Sequence, residues 1–258
     1  MMNWRQVNRR FPIQKDNFSI LCRLSPKLKT PRPLTKKDLY ALIRTSGWLT
    51  DNIILFFFFI VLEERQLWMK AQTPSPSTPT SWAFITSHLI SSLLNVHDKD
   101  MNKRWICGSR NISIWYKTTN YNKLYGLLIP IHVGDNHWSL LKVEFDNKTI
   151  TYIDSLVKNN ISKGQEIIKA FIYHHQERLL KFPSLTREIQ QNEWKTIVFT
   201  PQQVTQQQNG HDCGVFCCMY ADFSMLNLPL TVDHTLATQY RVMMFNYIAA
   251  YVTDGGPE

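Results

Sequence analysis

The stretch HWSLLKVEFDNKTITYID, residues 137–154, decides the fold. Its two arms carry β-branched and aromatic residues at alternating sites, and Asp146, Asn147 and Lys148 form a short turn between them. A period of two sends successive side chains to opposite faces of a strand, so the segment reads as an antiparallel β-hairpin. The ends of a hairpin meet. His137, at the start of one arm, is therefore expected beside Asp154, at the end of the other. Their separation of 17 residues is what two strands of about eight residues and a turn produce. A carboxylate in that place is expected to hold the imidazole by its Nδ1–H and to favour imidazolium.

Upstream, KLYGLLIPIHV (123–133) is an apolar run bounded by turn signals, and it extends the sheet. Downstream, GQEIIKAFIYHHQERLL (164–180) has helical spacing at Ile167, Ile168, Phe171 and Ile172. TIVFT (196–200) reads as a short strand. DCGVFCCMYADFSML reads as a buried helix, and TLATQYRVMMFNYIAAY (235–251) as an amphipathic one. Near the N-terminus, Thr35 is the expected cap of a helix with Asp38 in its first turn, and Gly47 marks its end. Asp51 is the expected cap of a second helix through Ile53 to about Arg65. QTPSPSTPTS (72–81) is a loop, and SWAFITSHLISSLL reads as a third helix. Strands in the middle and helices at both ends make the class α+β. Residues 1–33 are basic and read as an N-terminal extension, 34–252 as the folded domain and 253–258 as a tail.

Hydrophobic residues make up 44% of 258, enough for a sizeable core and too many for a disordered chain. The net charge of +9 suits an acidic partner, either a nucleic acid or an acidic protein face. The cations are scattered, however, among Arg5, Arg9, Arg10, Lys27, Lys36, Lys103 and others, and form no single run. Five cysteines are too few and too uneven for a disulfide framework. The opening MMNWRQVNRRFPIQ lacks the apolar core of a signal peptide. The run IILFFFFIVL (53–62) is too short to span a bilayer. The expected setting is the nucleus or cytoplasm, with no secretion and no membrane.

Three of the cysteines fall in QQQNGHDCGVFCC (206–218). Zinc sites take ligand pairs at C-x₂-C-type spacing, and His211, Cys213, Cys217 and Cys218 offer none, so neither metal nor cofactor is expected. Cys217 and Cys218 read as small apolar residues of a helix core. Cys213 differs, because Asn209 and Gly210 favour a turn and the helix starts at about Asp212 or Cys213. A thiol in a first helical turn meets the positive end of the macrodipole, which favours the thiolate. Gly214 allows a close approach to the backbone. A nucleophile also needs a base. His211 is too near in the chain to point at the same sulfur, whereas His137 is already provided with a carboxylate. An amide among Gln202, Gln203, Gln206, Gln207 and Gln208 can donate to an oxyanion together with the Cys213 N–H, and chemistry alone does not choose among the five.

These residues resemble the ubiquitin-like-protein-specific cysteine proteases, whose best-known members are the SUMO (sentrin) proteases. The matching segments are WLTDNII (48–54), KRW (103–105), IPIHVGDNHWSLLKVEF (129–145), TITYIDSL (149–156) and QQNGHDCGVFCCMYAD (207–222), with YRVMMFNYI (240–248) similar to the family's closing helix. The resemblance implies a papain-like cysteine protease superfamily fold, with a central mixed or antiparallel sheet flanked by helices. The triad order would be His-Asp-Cys: His137 as base, Asp154 as its orienter and Cys213 as nucleophile. It also implies Gln207 as the oxyanion donor. Trp138 and Trp48 match two tryptophans that enclose a tunnel for the modifier's Gly-Gly tail, and Asp51 matches an acidic residue that meets the modifier. Two plainer readings stand beside these: Trp48 as a core anchor of helix packing, and Asp51 as a helix cap. The implied reaction is hydrolysis after the C-terminal Gly-Gly of a modifier, with SUMO first and its conjugates as substrates, by a monomer. The rivals are the same triad acting on Nedd or ubiquitin, acetyl transfer as in related bacterial effectors, and a non-catalytic nucleic-acid-binding module.

Overall fold

The computed structural model describes residues 36–44, 46–72, 81–86, 119–134, 136–156, 161–190 and 192–253. The chain divides into two compact units, one of Met1–Pro74 with Gln202–Glu258 and one of Ser75–Pro201. The extension 1–33, the cap Thr35, residues 73–80 of the loop, the end of the third expected helix and the KRW segment lie outside the described residues.

The second unit holds a five-stranded mixed sheet in the order β1 to β5. The strands are β1 (Trp82–Phe84), β2 (Gly126–Val133), β3 (His137–Glu144), β4 (Thr149–Ile153) and β5 (Lys195–Val198). The central pairs β2–β3 and β3–β4 are antiparallel, and the outer pairs β1–β2 and β4–β5 are parallel. The β3–β4 hairpin pairs Leu140 with Ile153, and its turn is closed by Lys148 in the left-handed region at φ 48°. Between β2 and β3, Gly134 takes φ 61° with nothing near where a Cβ would sit, so conformation rather than space calls for glycine there.

The start of one expected helix is a strand. Trp82, Ala83 and Phe84 are all buried and pair in parallel with Gly126, Leu127 and Leu128. The Trp82 ring lies over Gly126, where a Cβ would come within 2.7 Å of Cζ3. A short apolar run has no period that separates strand from helix, and here a partner more than forty residues away decides.

α4 (Ile161–Lys181) packs on this sheet through Ile167, Ile168, Phe171 and Ile172, which join Leu127, Ile129, Ile131, Leu141, Val143, Ile150 and Tyr152 in one core. Each such buried aliphatic contributes about 1.5–3 kcal/mol.

The first unit is helical: α1 (Lys36–Ile43), α2 (Asp51–Phe56), a π-helical turn (Phe57–Val61), α3 (Leu62–Gln72), α5 (Cys213–Met225) and α6 (Leu236–Thr253). The apolar run is a buried helix as expected, with Ile53, Ile54, Phe56, Phe57, Phe58 and Leu62 inside. Helix continues past Arg65 to Gln72, and Arg65 is buried against Asp222 of α5, a partner the local sequence does not contain. The N-cap position of α2 is Thr50 and not Asp51, which is the first helical residue. Thr50 Oγ1 donates to Asp38 Oδ1 at 2.5 Å and Asn52 Nδ2 to Asp38 Oδ2 at 3.3 Å. Asp38 thus fastens α1 to the start of α2.

Candidate active site

In the sheet unit, β3 begins at His137 and β4 ends one residue before Asp154, and the hairpin brings the two together. His137 Nε2 lies 2.7 Å from Asp154 Oδ1. The expected nitrogen was Nδ1. Strand spacing places a residue but does not set how its ring is turned about χ2, and the observed rotamer directs Nε2–H at the carboxylate. A neutral imidazole held that way carries its lone pair on Nδ1.

The carboxylate is itself fixed. Asp154 is fully buried, and Oδ1 also accepts the Leu156 N–H at 2.7 Å, while Oδ2 accepts the Tyr152 hydroxyl at 2.8 Å. Three donors compensate the desolvation of a buried charge. Tyr152 is held in turn by α4, since a Cβ on Gly164 would come within 2.5 Å of the Tyr152 ring. Sequence reasoning passed over Tyr152. The signal was present, because residues two apart on a strand share a face.

In the helical unit, Cys213 is the first residue of α5 and is buried. Gly214 follows it under Leu49 and Ile54, where a Cβ would meet Leu49 Cβ at 2.9 Å. The close approach expected at this glycine is therefore that of the α2 region's apolar side chains. Cys217 and Cys218 are buried on the same helix, and burial pushes the Cys218 thiol well up, which keeps it protonated and inert.

Of the five glutamines, Gln207 alone is buried, and its Nε2 donates to the Asn209 carbonyl at 2.6 Å. The loop after it is closed by the Asn209 side chain, whose Oδ1 accepts the N–H groups of His211 at 3.1 Å and Asp212 at 3.0 Å.

Trp138 is buried on β3 and packs on His132, with ring centroids 4.6 Å apart. Trp48 precedes α2 in the helical unit and is 51% exposed, so the core-anchor reading of this residue is wrong. Asp51 lies in the first turn of α2, where a carboxylate complements the helix dipole. Among the described residues no cluster of three His, Cys, Asp or Glu could hold a metal ion, and no helix is long and apolar enough to cross a membrane.

Residues 47–253 match the family model of the Ulp1 protease family, C-terminal catalytic domain. The chain belongs to this family. Among the curated members it resembles, sentrin-specific protease 2 of Pongo abelii is 27% identical over 214 residues, 82% of this chain. Ubiquitin-like-specific protease 1 of Saccharomyces cerevisiae is 25% identical over 194 residues, 75% of this chain. The chain spans about 30% of the length of the first of these and 26% of the second. The fold is that of the C-terminal Ulp1 protease domain solved in complex with Smt3, the yeast ortholog of SUMO, with a TM-score of 0.63 at 22% identity over 95% of this chain and 97% of that one. The Ulp1-like SUMO protease catalytic domain of Chaetomium thermophilum matches with a TM-score of 0.54 at 19% identity, covering 95% and 91%. The Ulp1 family match takes in His137, Asp154, Gln207 and Cys213, and the α+β class with a mixed sheet is that of the family.

Proposed function

We propose that this chain is a thiol protease and isopeptidase that cleaves after the C-terminal Gly-Gly of a ubiquitin-like modifier, with SUMO as that modifier. The observation that carries the reading is the His137–Asp154 bond, inside a chain whose family match runs from 47 to 253. The names of the similar proteases and the Smt3 complex favour SUMO over Nedd and ubiquitin. Residues 34–252 are the catalytic domain, working as a monomer in the nucleus or cytoplasm on SUMO precursors and conjugates.

In this mechanism Nδ1 of His137 takes the Cys213 thiol proton, and Asp154 stabilises the imidazolium that results. The Cys213 thiolate adds to the carbonyl of the terminal glycine. The oxygen becomes an oxyanion and accepts from the Gln207 amide and the Cys213 N–H, donors worth ~10²–10³ in rate each. The imidazolium then protonates the leaving nitrogen, from lysine or a peptide, and an acyl-enzyme remains. Water, deprotonated by His137, releases the modifier and restores the thiol. Trp48 and Trp138 enclose the Gly-Gly tail, because a residue with a side chain cannot thread between two indole faces. Asp51 meets the body of the modifier.

The test uses C-terminal fluorogenic reporters of SUMO, Nedd and ubiquitin with the intact protein and with Cys213→Ala. Turnover of the SUMO reporter, lost in the variant while SUMO binding persists, is the expected result. Faster turnover of Nedd or ubiquitin would reassign the modifier. Hydrolysis that survives Cys213→Ala would overturn the nucleophile.

A further inference from the structure

We infer that Asn209 is a positioning residue for the oxyanion donor: it ties the Gln207 amide to Asp212, the N-cap residue of α5, and through it to Arg241 of α6. The inference rests on the roles proposed above for Gln207 and Cys213.

The connections form one chain of hydrogen bonds within the helical unit. Gln207 Nε2 donates to the Asn209 carbonyl at 2.6 Å. Asn209 Oδ1 accepts two backbone N–H groups, and its Nδ2 donates to Asp212 Oδ2 at 2.8 Å. Asp212 Oδ1 accepts from Arg241 Nη2 at 2.6 Å, and Arg241 Nη1 donates to the Ala41 carbonyl at 2.8 Å. Gln207, Asp212 and Arg241 are all buried, while Asn209 itself is exposed. An exposed amide that makes three hydrogen bonds to its own loop is held in one conformation, and the direction of its carbonyl follows.

That direction matters because an amide is planar. With one hydrogen of Gln207 Nε2 on the Asn209 carbonyl, the second has a fixed bearing. Asp212 adds a second constraint. It stands at the N-cap position of α5, yet its carboxylate makes no capping bond and turns to Arg241 and Asn209 instead. An N-cap carboxylate ordinarily accepts from the N–H groups of the second and third helical residues, here Gly214 and Val215, and this one makes neither bond. Only an amide at 209 fits these partners, since the oxygen must accept from two N–H groups while the nitrogen donates to a carboxylate. Aspartate would keep the two acceptor bonds but set a second negative charge against Asp212.

The experiment compares the intact protein with Asn209→Ala, Gln207→Ala and the double variant, on the SUMO reporter and on iodoacetamide. Alkylation of Cys213 reports the thiol alone, because no oxyanion forms in it. Asn209→Ala is expected to lower kcat by ~10- to 100-fold, up to the lower end of the effect of a lost oxyanion donor, since the amide is misdirected and not removed. KM should stay within about threefold and the alkylation rate should be unchanged. In the Gln207→Ala background the second change should add no more than about twofold, the signature of two residues acting through one. Asn209→Asp, which keeps the turn but replaces the Nδ2 donor by a second negative charge against Asp212, should reproduce the fall in kcat and serves if the alanine variant does not fold. Full activity of Asn209→Ala and Asn209→Asp would overturn the inference, as would a parallel loss of alkylation or multiplicative effects in the double variant. If Gln207→Ala itself keeps full kcat, the oxyanion role of Gln207 fails first, which separates that failure from a failure at Asn209.

Discussion

Tyr152 and Asp154 stand two residues apart at the end of β4, both fully buried, and the tyrosine hydroxyl donates to Asp154 Oδ2 at 2.8 Å. The other carboxylate oxygen faces His137 and the Leu156 N–H. The phenol therefore fixes the far side of the group that turns the imidazole. Tyr152→Phe keeps the ring under Gly164 and removes only the donor. A buried charged acceptor left short of one partner costs about 1–3 kcal/mol, to be read from urea unfolding. Loosened orientation of His137, the proposed base, should also lower kcat on the SUMO reporter by on the order of tenfold. Unchanged kinetics would remove Tyr152 from the alignment of His137.

Asp154→Ala goes further, since it strips Nε2 of its acceptor and leaves the imidazolium without its counter-charge. Activity should fall by roughly 10²- to 10⁴-fold and not vanish, because the proposed nucleophile and oxyanion donors are still in place. Steady-state kinetics on the SUMO reporter decide it. A variant as fast as the parent would exclude Asp154 from catalysis.

The parts of this molecule that were legible in the sequence are those with a local period. Alternation through 137–154 placed His137 beside Asp154, and the apolar run at 53–62 announced a buried helix. The parts that were not legible depend on distant partners. Trp82–Phe84 is a strand paired with β2, more than forty residues away, and Arg65 is buried inside a helix because Asp222 neutralises it. Adjacency on a hairpin does not fix a ring rotation, so Nδ1 was expected where Nε2 stands. Chemistry alone left five neighbouring glutamines alike, the family resemblance singled out Gln207, and Gln207 is the one of the five that is buried. The Asn209–Asp212–Arg241 chain closes across 29 residues, from Asp212 to Arg241, and has no motif of its own.

Arg65 of α3 and Asp222 of α5 form a bidentate pair, Nε to Oδ1 and Nη2 to Oδ2, each at 3.0 Å, and Tyr240 of α6 adds its hydroxyl to Oδ2 at 2.7 Å. Burial alone would lower the guanidinium pKa, but Asp222 reverses the sign and holds it above its ordinary value. Asp222→Ala would leave that cation buried without its counter-charge. The expected loss is about 3–5 kcal/mol of stability, measured as a fall in the urea midpoint. Tyr240→Phe removes a single hydrogen bond and should cost about 1–2 kcal/mol. Equal effects of the two substitutions would show that the pair is not what holds α3, α5 and α6 together.

The last prediction concerns acid. His175 of α4 lies inside an aromatic cage of Tyr121, Phe145 and Phe171, with Nε2 donating to the Arg187 carbonyl and the Arg178 guanidinium nearby over Tyr121. Burial lowers its pKa from 6.5 to about 4, a fall that the bond to Arg187 opposes and the charge of Arg178 reinforces. Burial lowers its neighbour His174 to about 3. The folded state binds the proton less well than the unfolded chain, so this part of the stability is complete above pH 6.5. It is lost progressively as the pH falls from there to about 4. At pH 5 the loss from His175 alone is about 2 kcal/mol, at ~1.4 kcal/mol per pH unit. His175→Gln retains a donor for the Arg187 carbonyl and cannot take up the proton. Urea unfolding followed by tryptophan fluorescence at pH 7 and pH 5 should show the parent losing about 2 kcal/mol more than this variant between the two conditions. Equal losses would mean that His175 stays neutral, or stays paired, in both states of the chain.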